Sequence, residues 1–151
     1  MKSLYFIVII ILCSTSVFSQ NTFTLTSQDL GGQAATSNEF NGFGCKGKNE
    51  SPQLSWANAP EGTKSFAVTM YDPDAPTGSG WWHWVVFDIP SNITELVANA
   101  GNVELSLAPK GAIQSITDYG AKGYGGPCPP EGHGLHQYII TVFALKTDSL
   151  G

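Results

Sequence analysis

The chain has no arginine, and its seven cationic residues are all lysines. No guanidinium fork is present to clamp a phosphate or carboxylate through two parallel hydrogen bonds. Any anion must be held by lysine, histidine, a hydroxyl or backbone N–H groups. Charged residues are only 13% of the 151, and the balance is acidic, at −5. Nucleic-acid binding is excluded on that basis, because it needs clustered positive charge. Cysteine is scarce, at three with no CxxC pair, so a zinc site has little support. GxSxG and HExxH are both missing and no pair of histidines stands at a ligand spacing, which removes the common hydrolase signatures. Helical periodicity is nearly absent; "SNITELVANAG" is the one stretch that fits a short helix.

Long apolar runs are missing too, except at the very start. "MKSLYFIVIIILCSTSVFSQ" opens with Lys2, runs apolar from Leu4 to Cys13 and then turns small and polar. That is the layout of a secretory signal peptide, with Val17 and Ser19 as the small residues before a cut near Ser19/Gln20. The run falls short of the ~20 residues a membrane span needs. The expected organisation is a signal peptide over residues 1–19 and one domain over 20–151, a length that supports a single core. Losing Lys2 takes the formal net charge from −5 to −6. Export to an oxidising compartment leaves Cys45 and Cys128 as an even pair, and a disulfide between them is the economical expectation. Two glycosylation sequons, at Asn49 and Asn92, matter only on a eukaryotic secretory route, and chance accounts for them.

The rest of the chain consists of short apolar runs punctuated by glycine and proline. "NTFTLTS" alternates Phe23 and Leu25 with threonines, and "KSFAVTMYD" puts Phe66, Val68 and Met70 on one face of a strand. A further strand is expected around Leu54 to Trp56. "WWHWVVFDI" and "QYIITVFALK" are apolar on both faces, which predicts central strands covered from both sides. Two glycine-rich stretches, "GFGCKGKNESPQLSWANAPEGTKS" and "DYGAKGYGGPCPPEGHG", read as long loops. The "KGKN" charges read as a solvated face.

Of the three histidines, His83 falls in the tryptophan-rich strand, His133 in the second glycine-rich region and His136 two residues past its end. Strand alternation places His83 with Trp81 and Val85, opposite Trp82 and Trp84, and sets His136 with Tyr138 if the last strand begins there. Each strand then offers a histidine beside an aromatic ring to one pocket. Asp74, between two prolines, reads as a turn residue capping local N–H groups.

"YDPDAP", then "GWWHWVVFDIP", then "GPCPPEGHGLHQYIITVFAL" resembles the phosphatidylethanolamine-binding protein family, particularly its bacterial Raf-kinase-inhibitor-like branch. "GFGCKGKNESPQLSW" extends the resemblance over most of the mature chain. It implies an all-β fold, an antiparallel β-sandwich with short peripheral helices and a small anion pocket open to solvent at one end. Carried across position by position, the pocket comprises Asp72 and Ala75 of the first motif and Trp81 and His83 of the second. The third adds the backbone around Cys128 with Pro129 and Pro130, then His136 and Tyr138. Gln137 stands where many relatives carry arginine, so a surface salt bridge is lost there. Members of that branch continue past "VFALKTDSLG" with a helix and a further strand, so the chain is expected to be C-terminally incomplete.

The expected function is that of a secreted, periplasmic or extracellular binding protein rather than an enzyme. Its partner is a small phosphate- or carboxylate-bearing ligand such as a phospholipid head group, with a protein partner also open. No cofactor, metal or nucleic acid is expected, and membrane contact only through the signal peptide. The rival readings are an inhibitor of an extracytoplasmic peptidase or kinase acting through its surface, and a metal-dependent hydrolase built on Asp72, Asp74, His83 and His136.

Overall fold

The computed structural model describes residues 21–151, and the expected signal peptide lies outside them. Seven strands form: β1 (Thr24–Thr26), β2 (Leu54–Ala57), β3 (Ser65–Asp72), β4 (Trp81–Pro90), β5 (Glu95–Leu96), β6 (Ile113–Gln114) and β7 (Ile139–Leu145). They make a three-stranded sheet of order β1-β2-β5 and a four-stranded sheet of order β6-β4-β3-β7, antiparallel throughout. The fold is all-β, as expected.

Period-two patterning builds the core. Leu54 and Trp56 of β2 face Phe66, Val68 and Met70 of β3, and the Trp56 and Phe66 ring centroids lie 5.2 Å apart across the two sheets. Trp84, Val86 and Ile89 of β4 complete the layer, with Leu96 of β5. Burying each of these side chains contributes about 1.5–3 kcal/mol.

Two β-bulges interrupt the β3–β4 ladder. Met70 pairs with Trp84 and Tyr71 with Trp82, which leaves His83 as an extra residue. Phe66 pairs with Ile89 and Val68 with Val86, so Phe87 and Asp88 together oppose Ala67, with Asp88 at φ 56°. A bulge shifts the alternation by one residue and re-aims a side chain. Strict alternation had set His83 opposite Trp84; the bulge turns both inward, while Val85 stays with Trp82 on the outer face beside Thr69.

Three expectations are corrected. "SNITELVANAG" is not helical, and no helix, peripheral or otherwise, occurs among the described residues. Its Glu95 and Leu96 pair with β2 and bury Leu96, a gain that an isolated eleven-residue helix interrupted by Asn99 and ended at Gly101 cannot match. β7 is an edge strand of its sheet rather than a central one, packing Ile140, Val142 and Ala144 inward while Ile139 and Phe143 stay 47% and 45% exposed. β4 lies inside the sheet, yet Trp82 on its outer face is 42% exposed. Apolar content on both faces marked position near the sheet centre less well than it marked strand character.

Candidate functional site

β3 ends at Asp72 because Pro73 cannot donate to a ladder and the Asp72 side chain turns the chain, its Oδ1 accepting the Asp74 N–H at 2.8 Å. Asp72 sits opposite Trp81, the first residue of β4, so the strand ends and the turn between them form one rim of a cavity. The Asp72 side chain is only 4% exposed, and a buried carboxylate requires partners. It has two histidines. His136 donates from Nδ1 to Oδ2 at 2.8 Å, and His83 Nε2 lies 4.0 Å from the same oxygen.

His83 is fixed from behind. Its Nδ1 lies 2.7 Å from the Gly125 carbonyl, which has no proton to give, so the ring donates there and Nε2 is the nitrogen turned toward Asp72. Gly125 N in turn donates to the His83 carbonyl at 2.8 Å. That approach needs glycine: a Cβ at Gly125 would meet the Tyr119 ring, and one at Gly126 would meet the Asn38 carbonyl. Asn49 clamps the same segment, accepting from Gly126 N at 2.7 Å and donating to the Tyr124 carbonyl at 3.1 Å. Its amide is thus engaged, in keeping with a chance sequon.

His136 is placed by its neighbour. The Gln137 N–H donates to Asp74 Oδ2 at 2.7 Å, across 63 residues of chain. Asp74 therefore pins the loop before β7, and the local turn-capping expected of it is performed by Asp72.

The remaining walls are rings. Tyr119 is the hub, with centroid distances of 4.4 Å to Phe40, 5.7 Å to Phe43 and 5.5 Å to Trp81, stacked on Phe43 and edge-on to Trp81. Its hydroxyl donates to the Gly126 carbonyl at 2.6 Å. Cys45 and Cys128 are bonded, with Cα atoms 5.9 Å apart, so the expected disulfide is present. It ties the Phe43 loop to the proline loop on the facing wall.

The cavity is open to solvent at its mouth and has a volume of about 210 Å³. Of the predicted residues, Asp72, Ala75, Trp81, His83 and His136 line it. So do Cys128, Pro129 and Pro130. Tyr138 does not reach the wall; it stands behind the histidines, its ring edge-on to His83 at 5.1 Å and stacked 6.5 Å from His136. Its buried hydroxyl finds no hydrogen-bond partner among the described residues. Sequence reasoning missed Phe43, Pro76, Thr77 and Tyr119. A signal for Phe43 existed, since the expected Cys45–Cys128 bond carries its loop to the proline loop. His133 is exposed, its ring 5.9 Å from that of His136.

Burial lowers the His83 pKa from the usual 6.5, against smaller opposing contributions from the Gly125 carbonyl and Asp72. Burial also raises Tyr119 and Tyr138, so both keep their protons at any ordinary pH. The cavity floor therefore holds Asp72, a His83 that burial keeps neutral with Nε2 turned inward, and His136. No lysine lines it. Among the described residues no three His, Cys, Asp or Glu side chains are arranged to hold a metal ion. The arrangement can exchange protons and present dipoles and ring faces to a small polar group.

A family model described as phosphatidylethanolamine-binding protein matches residues 31–151. UPF0098 protein YbcL of Escherichia coli (strain K12) is 53% identical over 130 residues, covering 85% of this chain and 71% of that protein. The crystal structure of YbcL, titled as a new member of the mammalian PEBP family, superposes with a TM-score of 0.83 over 85% of this chain and 80% of that one. UPF0098 protein YbhB of the same organism is 50% identical over 74% of this chain and 69% of its own length. A Mycobacterium tuberculosis (strain H37Rv) relative, 36% identical over 68% of this chain and 47% of its own length, is named as lipoprotein LppC.

Proposed function

The chain belongs to the phosphatidylethanolamine-binding protein family, and from that premise we propose that it is an exported, non-catalytic binding protein for a small phosphorylated or carboxylated ligand of the phospholipid head-group type. The observation that carries the reading is the row His136–Asp72–His83 at the floor of a cavity of about 210 Å³. Known ligand sites for drug-sized molecules run to roughly 300–1,000 Å³, so a head group fits here and a whole lipid does not. Export is supported by the leader pattern at residues 1–19, by the Cys45–Cys128 bond and by the lipoprotein name of a relative.

A phosphate entering this cavity needs donors. Burial keeps His83 neutral and commits its one N–H to Gly125. The side chain left to meet a ligand is His136, which faces Asp72 on one side and the Tyr138 and His133 rings on the others. A pocket floored by two histidines gains donor protons on acidification, so anion binding should strengthen as the pH falls. The test is a two-dimensional NMR titration of the oxidised protein with phosphoethanolamine at about pH 6 and about pH 7.5, bracketing the reference histidine pKa. Saturable shifts on His83, His136 and the Cys128 loop are expected, larger at the lower pH. His136→Ala should weaken binding by about tenfold to a hundredfold, the range of a charge-assisted hydrogen bond. No saturable shift at either pH would overturn the proposal.

A further inference from the structure

The connection between β5 and β6, residues 97–112, is anchored at both ends. Gly101 N donates to Ser51 Oγ at 2.8 Å, and the Gly101 carbonyl accepts from Tyr124 N at 3.0 Å. The Ala100 carbonyl accepts from Gln114 Nε2 at 2.9 Å. At the far end Ile113 and Gln114 pair with Phe87 and Val86 of β4. Between these anchors the chain is tied only to itself. Among the described residues, 103–111 make no hydrogen bond to anything outside 99–112: Glu104 N reaches Asn102 Oδ1, and the Pro109 carbonyl accepts from Ala112 N. A segment whose hydrogen bonds are all local opens at small free-energy cost.

The side chains of this segment do not suit a merely solvated loop. Val103, Leu105 and Leu107 are 46%, 51% and 45% exposed and stand at alternate positions. Once the segment is extended, all three lie on one face, with Glu104 and Ser106 on the other. Ser106, between the two leucines, sits at φ 52°, a left-handed conformation that residues other than glycine seldom adopt. Straightening the segment releases that strain. An exposed stretch that opens easily and is apolar along one face is the form in which a chain enters the cleft of a peptidase, and exposed loop tips are where folded domains are nicked.

We propose that residues 103–107 are a processing site for a peptidase that accepts a large apolar side chain before the scissile bond, and that the cut converts the chain into a two-chain protein. The peptide bond after Leu105 or Leu107 is hydrolysed. Water supplies the hydroxyl that completes the leucine carboxyl group and the hydrogen that completes the amine of Ser106 or Ala108. The fold is joined across this break. Cys45 lies before it and Cys128 after it, so the disulfide links the two halves. Strand pairing crosses it as well, β3 with β7 and β4 with β6, and Asn49 holds Tyr124 and Gly126 from the other side. The cavity draws Asp72, Trp81 and His83 from the first half and Tyr119, Pro129 and His136 from the second, and nothing in 97–112 lines it. The binding site therefore survives the cut.

The test is limited digestion of the oxidised protein with chymotrypsin, followed on gels with and without reductant and by mass spectrometry. The expected result is one band of undiminished size without reductant and two fragments with it, because only a cut between Cys45 and Cys128 leaves linked halves. The new C-terminus should be Leu105 or Leu107, and the amide spectrum of the cut protein should match that of the intact protein outside residues 99–114. The double variant Leu105→Ser, Leu107→Ser changes only exposed side chains and is expected to fold. It should slow the cut by about tenfold to a hundredfold, as an apolar pocket discriminates against a lost apolar side chain. An unchanged rate in that variant would overturn the proposal. So would first cutting at Phe43 or Leu135, which are 74% and 91% exposed and whose cleavage frees a fragment with or without reductant. Resistance of the loop to the enzyme, or loss of the dispersed amide spectrum once it is cut, would overturn it equally.

Discussion

β4 carries two bulges, and the molecule uses them differently. The first inserts His83 at one end of the strand, and the second inserts Asp88 near the other. Both residues are buried and polar in a strand that is otherwise apolar. Asp88 has its valences closed: Oδ2 accepts from Ser149 Oγ at 2.7 Å and Oδ1 from Leu150 N at 2.8 Å. His83 spends one nitrogen on Gly125 and turns the other into a cavity that also holds Asp72, His136 and three aromatic rings. A bulge whose polar residue is fully paired internally is a structural clamp. A bulge whose polar residue keeps an unspent atom facing open volume is a site.

Cutting the support of one end should separate the two most strongly. The Cys45–Cys128 bond spans 83 residues and joins the loops on either side of the His83 cavity. Its removal in the double variant Cys45→Ser, Cys128→Ser should lower stability by about 2–4 kcal/mol, measured by urea denaturation. Amide exchange should accelerate in residues 41–46 and 127–136 and stay slow around Asp88. Uniform acceleration along the chain would show that the bond supports the whole sandwich and would erase the contrast. A somewhat smaller effect is expected at the other bulge. Asp88→Ala removes two hydrogen bonds to a charged acceptor and puts alanine at a positive φ, a loss of about 2–3 kcal/mol. Asp88→Asn, which tolerates that backbone and keeps one acceptor, should lose less than about 1 kcal/mol. Neither should change phosphoethanolamine affinity; a change of tenfold or more would mean that the clamp communicates with the cavity.

The strands were legible because period-two apolar patterning reports a half-buried pleat directly, as Phe66, Val68 and Met70 do. The bulges were not, because an extra residue is defined by the register of two strands and appears only when both are paired. A histidine and an aspartate inside "WWHWVVFDI" were the available hint, since neither favours a regular apolar strand. Of the cavity, the motif-borne residues from Asp72 to His136 were readable, whereas Tyr119 arrives through the backbone path of Tyr124 to Gly126 against His83. Tyr138 shared a face with His136 as alternation required, yet ended behind the wall, because alternation fixes a side and not a depth. The expected helix failed for a related reason: the pairing of Leu96 with Leu54 is a tertiary gain that local periodicity does not contain.

The smallest expected effect distinguishes the two bulges by titration. Burial depresses the His83 pKa below its unfolded value of 6.5. Above 6.5 both states are neutral at this residue, and it adds no slope. Between 6.5 and the lowered folded value the unfolded chain binds the proton and the folded chain does not, so stability falls as pH drops through that window and levels off below it. His83→Gln, whose amide can still donate to the Gly125 carbonyl, should remove that part of the acid slope; a slope persisting unchanged in the variant would place the titration elsewhere. The same variant also bears on the cavity. Replacing the imidazole by an amide leaves Asp72 and His136 in place, so whatever part of the pH dependence of phosphoethanolamine binding comes from His83 should be lost and the rest retained. A flatter acid limb together with an unchanged pH profile of phosphoethanolamine binding would assign His83 to the framework of the site and leave His136 as the group that the ligand meets.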